Sequence, residues 1–335
     1  MPFEKKEQTT PLLASAPRPT LYRTPPHVSN FEGPTGWYNL TVWLISSEVH
    51  ELRSARWLLV PEPNLKNWLS QALAADALRL LAPVARALDM PLVPIKGVVL
   101  GRWLYEDTAE RPLSDLDLLI RHRDREPLKN EIRRLGWQLV RDSEELRELA
   151  FIVGGVMVEA HAEVVRRDLT RLRVEDLLAR ATAESRTFGF EIRRLDDVDH
   201  TLLLLVELVK DWFVEANAHQ PEDLERLLRR ISHRAPDLIA RAAEAGFTTG
   251  LHNAARWLAE AHHSEGFANL LARVGPPPRR IQPFLVRQTW KARPPPRILG
   301  LGLSCWTNDR WSVRTRCLAT IVRRGLWRAW GRDPR

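Results

Sequence analysis

The chain has 335 residues, 44% hydrophobic and 27% charged, with 50 Lys and Arg against 42 Asp and Glu, for a formal net charge of +8. That length suits two domains, or one large domain with tails, around a sizeable core, and the composition excludes a fibrous or wholly disordered chain. No apolar run reaches the roughly eighteen residues of a membrane span, and two cysteines, Cys305 and Cys317, supply neither a disulfide framework nor zinc-ligand spacing.

The charge is uneven. From residue 276 to the end, thirteen Arg and one Lys face Asp309 and Asp333, a net of +12 that leaves residues 1–275 at −4. Residues 1–36 hold seven prolines and little periodic apolar content, so they read as a flexible leader. Without a signal-peptide pattern, the expected location is the cytoplasm. Residues 37–60 turn apolar as a helix or a buried strand. Residues 64–89 read as a long helix, with Leu65, Trp68, Leu69, Leu73, Leu78, Leu80, Leu81, Val84 and Leu88 mostly at helical spacing, Asn64 as N-cap and Pro83 as a kink or break.

Residues 91–120 carry the chemistry. Residues 92–95 form a short apolar strand that stops at Lys96-Gly97, residues 98–106 a helix, and Ser114-Asp115-Leu116-Asp117-Leu118-Leu119-Ile120 a second strand. Period-two alternation puts Asp115 and Asp117 on one face, roughly 6 to 7 Å apart. At an effective dielectric of about 20 they repel by about 2.5 kcal/mol, which calls for a positive partner; facing open water the repulsion falls below about 1 kcal/mol and the pair is an ordinary solvated face. A Gly at a strand-to-helix turn lets backbone approach a phosphate, the helix N-terminus favours negative charge, and Lys96 adds a point charge. With Arg111, the stretch points to a nucleotide phosphate on one side and a divalent cation on the other.

Downstream, residues 126–135 read as a helix closed by Gly136, 137–140 as a strand and 144–150 as a short helix. Residues 156–165 follow as a strand with Val156, Val158, Ala160, Ala162 and Val164 on one face and Met157, Glu159, His161, Glu163 and Val165 on the other. Helical spacing then covers 173–185, 197–213, 221–232, 235–245 and 251–263, with Gly246 and Gly250 as breaks. Asp199, His200 and Asp211 either face a cleft or serve as caps and surface positions. The tail interleaves Arg with Trp290, Trp306, Trp311, Trp327 and Trp330, a pattern that suits a polyanion such as RNA, an anionic membrane surface, or packing onto the acidic body.

Lys96-Gly97, Arg111 and Ser114-Asp115-Leu116-Asp117-Leu118-Leu119 together resemble the signature of the uncharacterised nucleotidyltransferase family of the polymerase β-like superfamily, over residues 73–166 and more loosely to 235. The chain departs from the superfamily's wider pattern in placing Val98 after the Gly and in a longer spacer. The resemblance implies an α+β fold, a small mixed sheet flanked by helices and followed by a helical domain. The expected organisation is a leader (1–36), a nucleotidyltransferase core (37–172), a helical domain (173–275) and a basic tail (276–335). It further implies transfer of a nucleoside monophosphate from a nucleoside triphosphate to an acceptor hydroxyl, with two Mg²⁺ ions held by Asp115, Asp117 and a third acid. Val158-Glu159-Ala160-His161 is similar to the family's Val-Glu-Leu-His element, which makes Glu159 that acid, ahead of Glu163, and gives His161 the acceptor or a metal-bound water. Lys96, Gly97, Arg111 and Ser114 would lie near the triphosphate. Two other readings compete: a non-catalytic binder acting through the tail, and an aspartate-dependent phosphatase, which wants Thr or Val where Leu119 stands.

Overall fold

The computed structural model describes residues 62–144, 147–165, 170–211 and 219–276. The leader, residues 37–60 and the basic tail lie outside them. The first helix, α1 (Glu62–Ala87), runs unbroken through Pro83 and begins two residues ahead of the expected Asn64 cap. A five-stranded mixed sheet follows, of β1 (Val93–Ile95), β2 (Leu116–Leu119), β3 (Gln138–Ser143), β4 (Glu148–Val153) and β5 (Val156–His161), in the order β1-β2-β5-β4-β3. Only β2 and β5 pair in parallel; the other neighbours are antiparallel. Helix α2 (Gly97–Leu104) follows β1 and α3 (Arg125–Arg134) follows β2. After β5 come α4 (Val174–Arg180), a hairpin of β6 (Thr182–Glu184) and β7 (Ile192–Arg194), and five helices: α5 (Asp197–Lys210), α6 (Gln220–Arg230), α7 (Ala235–Glu244), α8 (Thr248–Ala261) and α9 (Glu265–Val274). The fold is α+β, with nine helices among the described residues, none of them long and apolar enough to cross a membrane.

Each face of the sheet has its own cover. Leu116, Leu118, Leu149, Phe151, Val158 and Ala160 share one face and pack against Leu78 and Leu81 of α1 and Leu128 and Ile132 of α3. On the other face Val93, Ile95 and Leu119 join a second core built around α5, whose residues 198–209 are all buried. A helix buried on every side is apolar wherever its side chains lack polar partners, which explains the run from Leu202 to Val206, while the buried Asp199, His200 and Glu207 are each paired. α5 therefore covers the β1 end of that face, while Asp117, Glu159 and His161 lie further across it.

Four local expectations change. Within the helix expected over 144–150, residues 148–150 belong instead to β4, and because five of its six residues are buried it shows no alternation to mark it as a strand. The helix at 173–185 stops at Arg180, and the three-residue strands of the hairpin are too short to carry a period. α9 lies beyond the last helix expected, with Ser264 Oγ accepting the Phe267 N–H at 3.1 Å as its N-cap. Gly250 does not break a helix but sits within α8, where an added Cβ would come within 2.1 Å of the Phe247 ring. Strand β3 carries a register shift between Leu139, opposite Phe151, and Arg141, opposite Ala150.

α5 also ties the two cores together through His200, 1% exposed. Its Nε2 accepts the backbone N–H of Lys96 at 3.2 Å. Burial, with the nearby Arg194, Arg111 and Lys96 cations, holds its pKa down to about 3, so the folded ring is neutral.

Gly250→Ala should destabilise the protein by about 1 to 3 kcal/mol, the usual cost of overpacking a buried site, read as a lower urea midpoint; an unchanged midpoint would show that the Phe247 ring yields freely. His200 predicts a pH effect. Above pH 6.5 the ring is neutral folded and unfolded. Between about pH 6.5 and 3 the unfolded ring takes a proton that the folded one refuses, so stability falls with falling pH by up to about 1.4 kcal/mol per unit. Urea midpoints between pH 7 and 5 should fall more steeply for the parent than for His200→Gln; parallel profiles would contradict the buried neutral ring.

Candidate active site

The parallel pairing of β2 with β5 sets Leu116 opposite Val158, Asp117 opposite Glu159 and Leu119 opposite His161. Registered residues of neighbouring strands share a face, so Asp117 and Glu159 stand side by side. One ligand atom from each of Asp117, Glu159 and His161 lies within 4.8 Å of the others. His161 Nε2 is 2.9 Å from Asp117 Oδ1 and 3.8 Å from Glu159 Oε2. Asp115 sits just before β2, its Oδ1 accepting the Ser114 hydroxyl at 2.7 Å.

The carboxylates of this cluster are not equivalent. Burial alone would raise the pKa of Asp117, 5% exposed, but the Lys96 ammonium and the His161 hydrogen bond override it and bring it down to about 2. Asp115 is pushed up by burial and by the charge on Asp117. Glu159 is pushed up as well, by burial and then by Glu148. Two acids held above their ordinary range beside a third that is firmly ionised mark a site with more negative charge than its own cations offset.

Lys96 supplies the main offset. Its Nζ lies 3.0 Å from Asp117 Oδ1 and 2.8 Å from Glu207 Oε1 of α5. Burial works against the ammonium, yet Glu207 and Asp117 more than reverse this and hold its pKa above the usual lysine range. The residue has φ 56° and ψ −128°, a conformation that costs an L residue about 1 to 3 kcal/mol and persists only where surroundings impose it. Here the His200 hydrogen bond and the two carboxylates impose it.

Arg111, expected near a triphosphate, is also bonded within the protein. Its guanidinium grips Asp223 of α6, Nη2 to Oδ2 at 2.7 Å and Nε to Oδ1 at 3.1 Å, while the Tyr105 hydroxyl donates to the same Oδ1 at 2.7 Å. Gly97 sits in close packing: a Cβ there would meet Leu113 Cδ1 at 2.3 Å and Arg111 Nη1 at 2.8 Å, so both side chains would have to shift. Glu163 pairs with Arg147 at 3.1 Å. Asp199 takes Arg180 at 2.7 Å and Arg241 at 3.0 Å, making it an internal anchor of the helical region.

Four further residues belong to the site or its support: Glu148, Arg141, Glu207 and His200. Glu148, opposite His161 on β4, places Oε2 3.5 Å from His161 Nδ1. Arg141 bridges Glu148 and Glu159, meeting Glu159 Oε1 at 2.8 Å. Glu148 becomes legible only once β4 is read as a strand. The signal for Glu207 was in plain view, a lone acid inside an apolar helical run, since such residues are rarely buried unless paired.

Residues 50–262 match the family described as uncharacterised nucleotidyltransferase. No curated protein matches the chain. The match spans well over half of the 335 residues and contains the whole of the acidic cluster with its supporting helix, so the chain belongs to the uncharacterised nucleotidyltransferase family.

Proposed function

We propose that the protein is a metal-dependent nucleotidyltransferase that moves a nucleoside monophosphate from a nucleoside triphosphate to an acceptor hydroxyl. The observation that carries this reading is the convergence of Asp117, Glu159 and His161 on one point, with Asp115 two residues before Asp117, immediately ahead of β2. The donors fit a divalent cation. Carboxylate oxygens suit Mg²⁺ or Mn²⁺, and ligands that each bind one ion at about 2.1 Å must lie within about 4 Å of each other, close to the 4.8 Å limit within which these atoms fall. Asp115, Asp117 and Glu159 would hold the ions, which when bound neutralise charge on the attacking and leaving oxygens.

The chain's own residues divide the remaining work. Arg141 fixes Glu159 through Oε1 and leaves Oε2 on the His161 side. Glu148 holds the far nitrogen of His161, so the ring presents Nε2 to Asp117 and to an acceptor hydroxyl. Ser114 steadies Asp115. Gly97, packed against Leu113 and Arg111, keeps the Lys96 turn close to the cluster, and Lys96 would offer a cation to a triphosphate bound there.

With α-labelled nucleoside triphosphates and a cell extract as acceptor source, label should pass to an acceptor in the presence of Mg²⁺ and stop on chelation. Asp117→Ala and Glu159→Ala should each abolish that transfer while retaining a cooperative unfolding transition; near-parental transfer by either folded variant refutes the site. Arg141→Gln should slow transfer by about 10- to 100-fold, as expected for a residue that orients a metal ligand, and an unchanged rate would remove Arg141 from the machinery.

A further inference from the structure

Lys96 is the residue whose surroundings ask for more than charge neutralisation. Its ammonium has two carboxylate partners drawn from opposite sides: Asp117 Oδ1 at 3.0 Å on the sheet and Glu207 Oε1 at 2.8 Å on α5. Glu207 is 8% exposed, and among the described residues Lys96 is the only cation in salt-bridge contact with it. A buried acid is costly to keep unless it stays paired. One carboxylate would suffice to neutralise one lysine.

We infer that Lys96 and a divalent cation exchange at Asp117 Oδ1, with Glu207 as the second berth that keeps the ammonium paired while the cation is bound. This rests on the metal-dependent reading of the site. An ammonium and a divalent ion in contact with the same carboxylate oxygen repel strongly at these distances, so a cation arriving at Asp117 must displace the lysine from it. Glu207 makes the displacement short. The Lys96 backbone is fixed by the 3.2 Å bond from its N–H to His200 and by the onset of α2, while the flexible four-carbon stem lets the ammonium lean from one acid to the other. No buried charge is left alone in either state: without the ion Lys96 serves both acids, and with it Lys96 serves Glu207 while the ion serves Asp117. His200 and Glu207, two turns apart on α5, thus anchor Lys96 at its two ends.

Calorimetric titration of the full chain with Mn²⁺, without nucleotide, tests this in a double-mutant cycle. Lys96→Met removes the competitor and should tighten Mn²⁺ binding by about tenfold, the scale of coupling between contacting residues. Glu207→Gln removes the berth, confines the ammonium to Asp117, and should weaken binding by a similar factor. In the double variant the effect of Glu207→Gln should vanish, leaving the affinity of Lys96→Met alone. A Glu207→Gln effect that persists undiminished in the Lys96→Met background would mean that Glu207 acts only through its field, and the exchange is wrong. An affinity unchanged or tightened by Glu207→Gln alone rejects it as well. Should Lys96→Met not fold, Lys96→Gln serves as the background. If the parent binds no Mn²⁺, the metal-dependent reading itself falls and the exchange with it; if the parent binds and the cycle is additive, only the exchange falls.

Discussion

Asp117 is an ionised carboxylate with 5% exposure, set on a central strand where water offers it little help. An isolated charge at such depth is untenable, so the fold must bring compensation to it. Much of the arrangement follows from that requirement. Lys96 arrives from the turn after β1, His161 from β5 through the parallel pairing, and α5 contributes Glu207 to keep the lysine in place. Lys96 and His161 meet at one oxygen, Asp117 Oδ1, and α5 reaches it through Lys96.

The helical region is for this reason part of the site as much as a cover for the sheet. α5 buries Val198, Leu202 and Leu205 against its neighbours and also presents His200 and Glu207 toward Lys96. α6 contributes Asp223, which pins Arg111 in the loop that leads into the Asp pair. Removing residues downstream of β7 would strip the sheet of apolar cover and leave Lys96 and Arg111 without their acids.

The amino-acid pattern reveals the strand side of this arrangement and hides the helix side. Alternation alone puts Asp115 with Asp117 and Glu159 with His161, because period two is a local property of each strand. It also assigns Val158 and Ala160 to the buried face, where the structure has them. Which strands are neighbours is not local, so the registered pairing of Asp117 with Glu159 came only through resemblance. Glu207 and Asp223 lie more than a hundred residues from Lys96 and Arg111, and nothing in the spacing of either marks its partner. A Gly turn followed by a cation, as at Gly97 and Arg111, has the chemistry of a phosphate contact. The same residues also suit tight packing, and the local sequence does not distinguish the two uses. β4 escaped notice for the opposite reason: burial on both faces erases the alternation that identifies a strand.

The register shift in β3 has a consequence for charge. In a regular strand parity decides which face a residue takes, and Leu139, opposite Phe151, belongs to the face covered by helices. Unshifted, Arg141 would share that face and Asp142 would point to the side of Glu159. The one extra residue, Val140, inverts parity for all that follows in the strand. Arg141 thereby lands beside Glu148 and Glu159, and Asp142 lands beside Arg125 and Lys129 of α3. A single inserted position thus sets the sign of the charge on this flank of the acidic cluster: the same amino acids threaded without the bulge would crowd another carboxylate against Glu159 and strand an arginine over the helices.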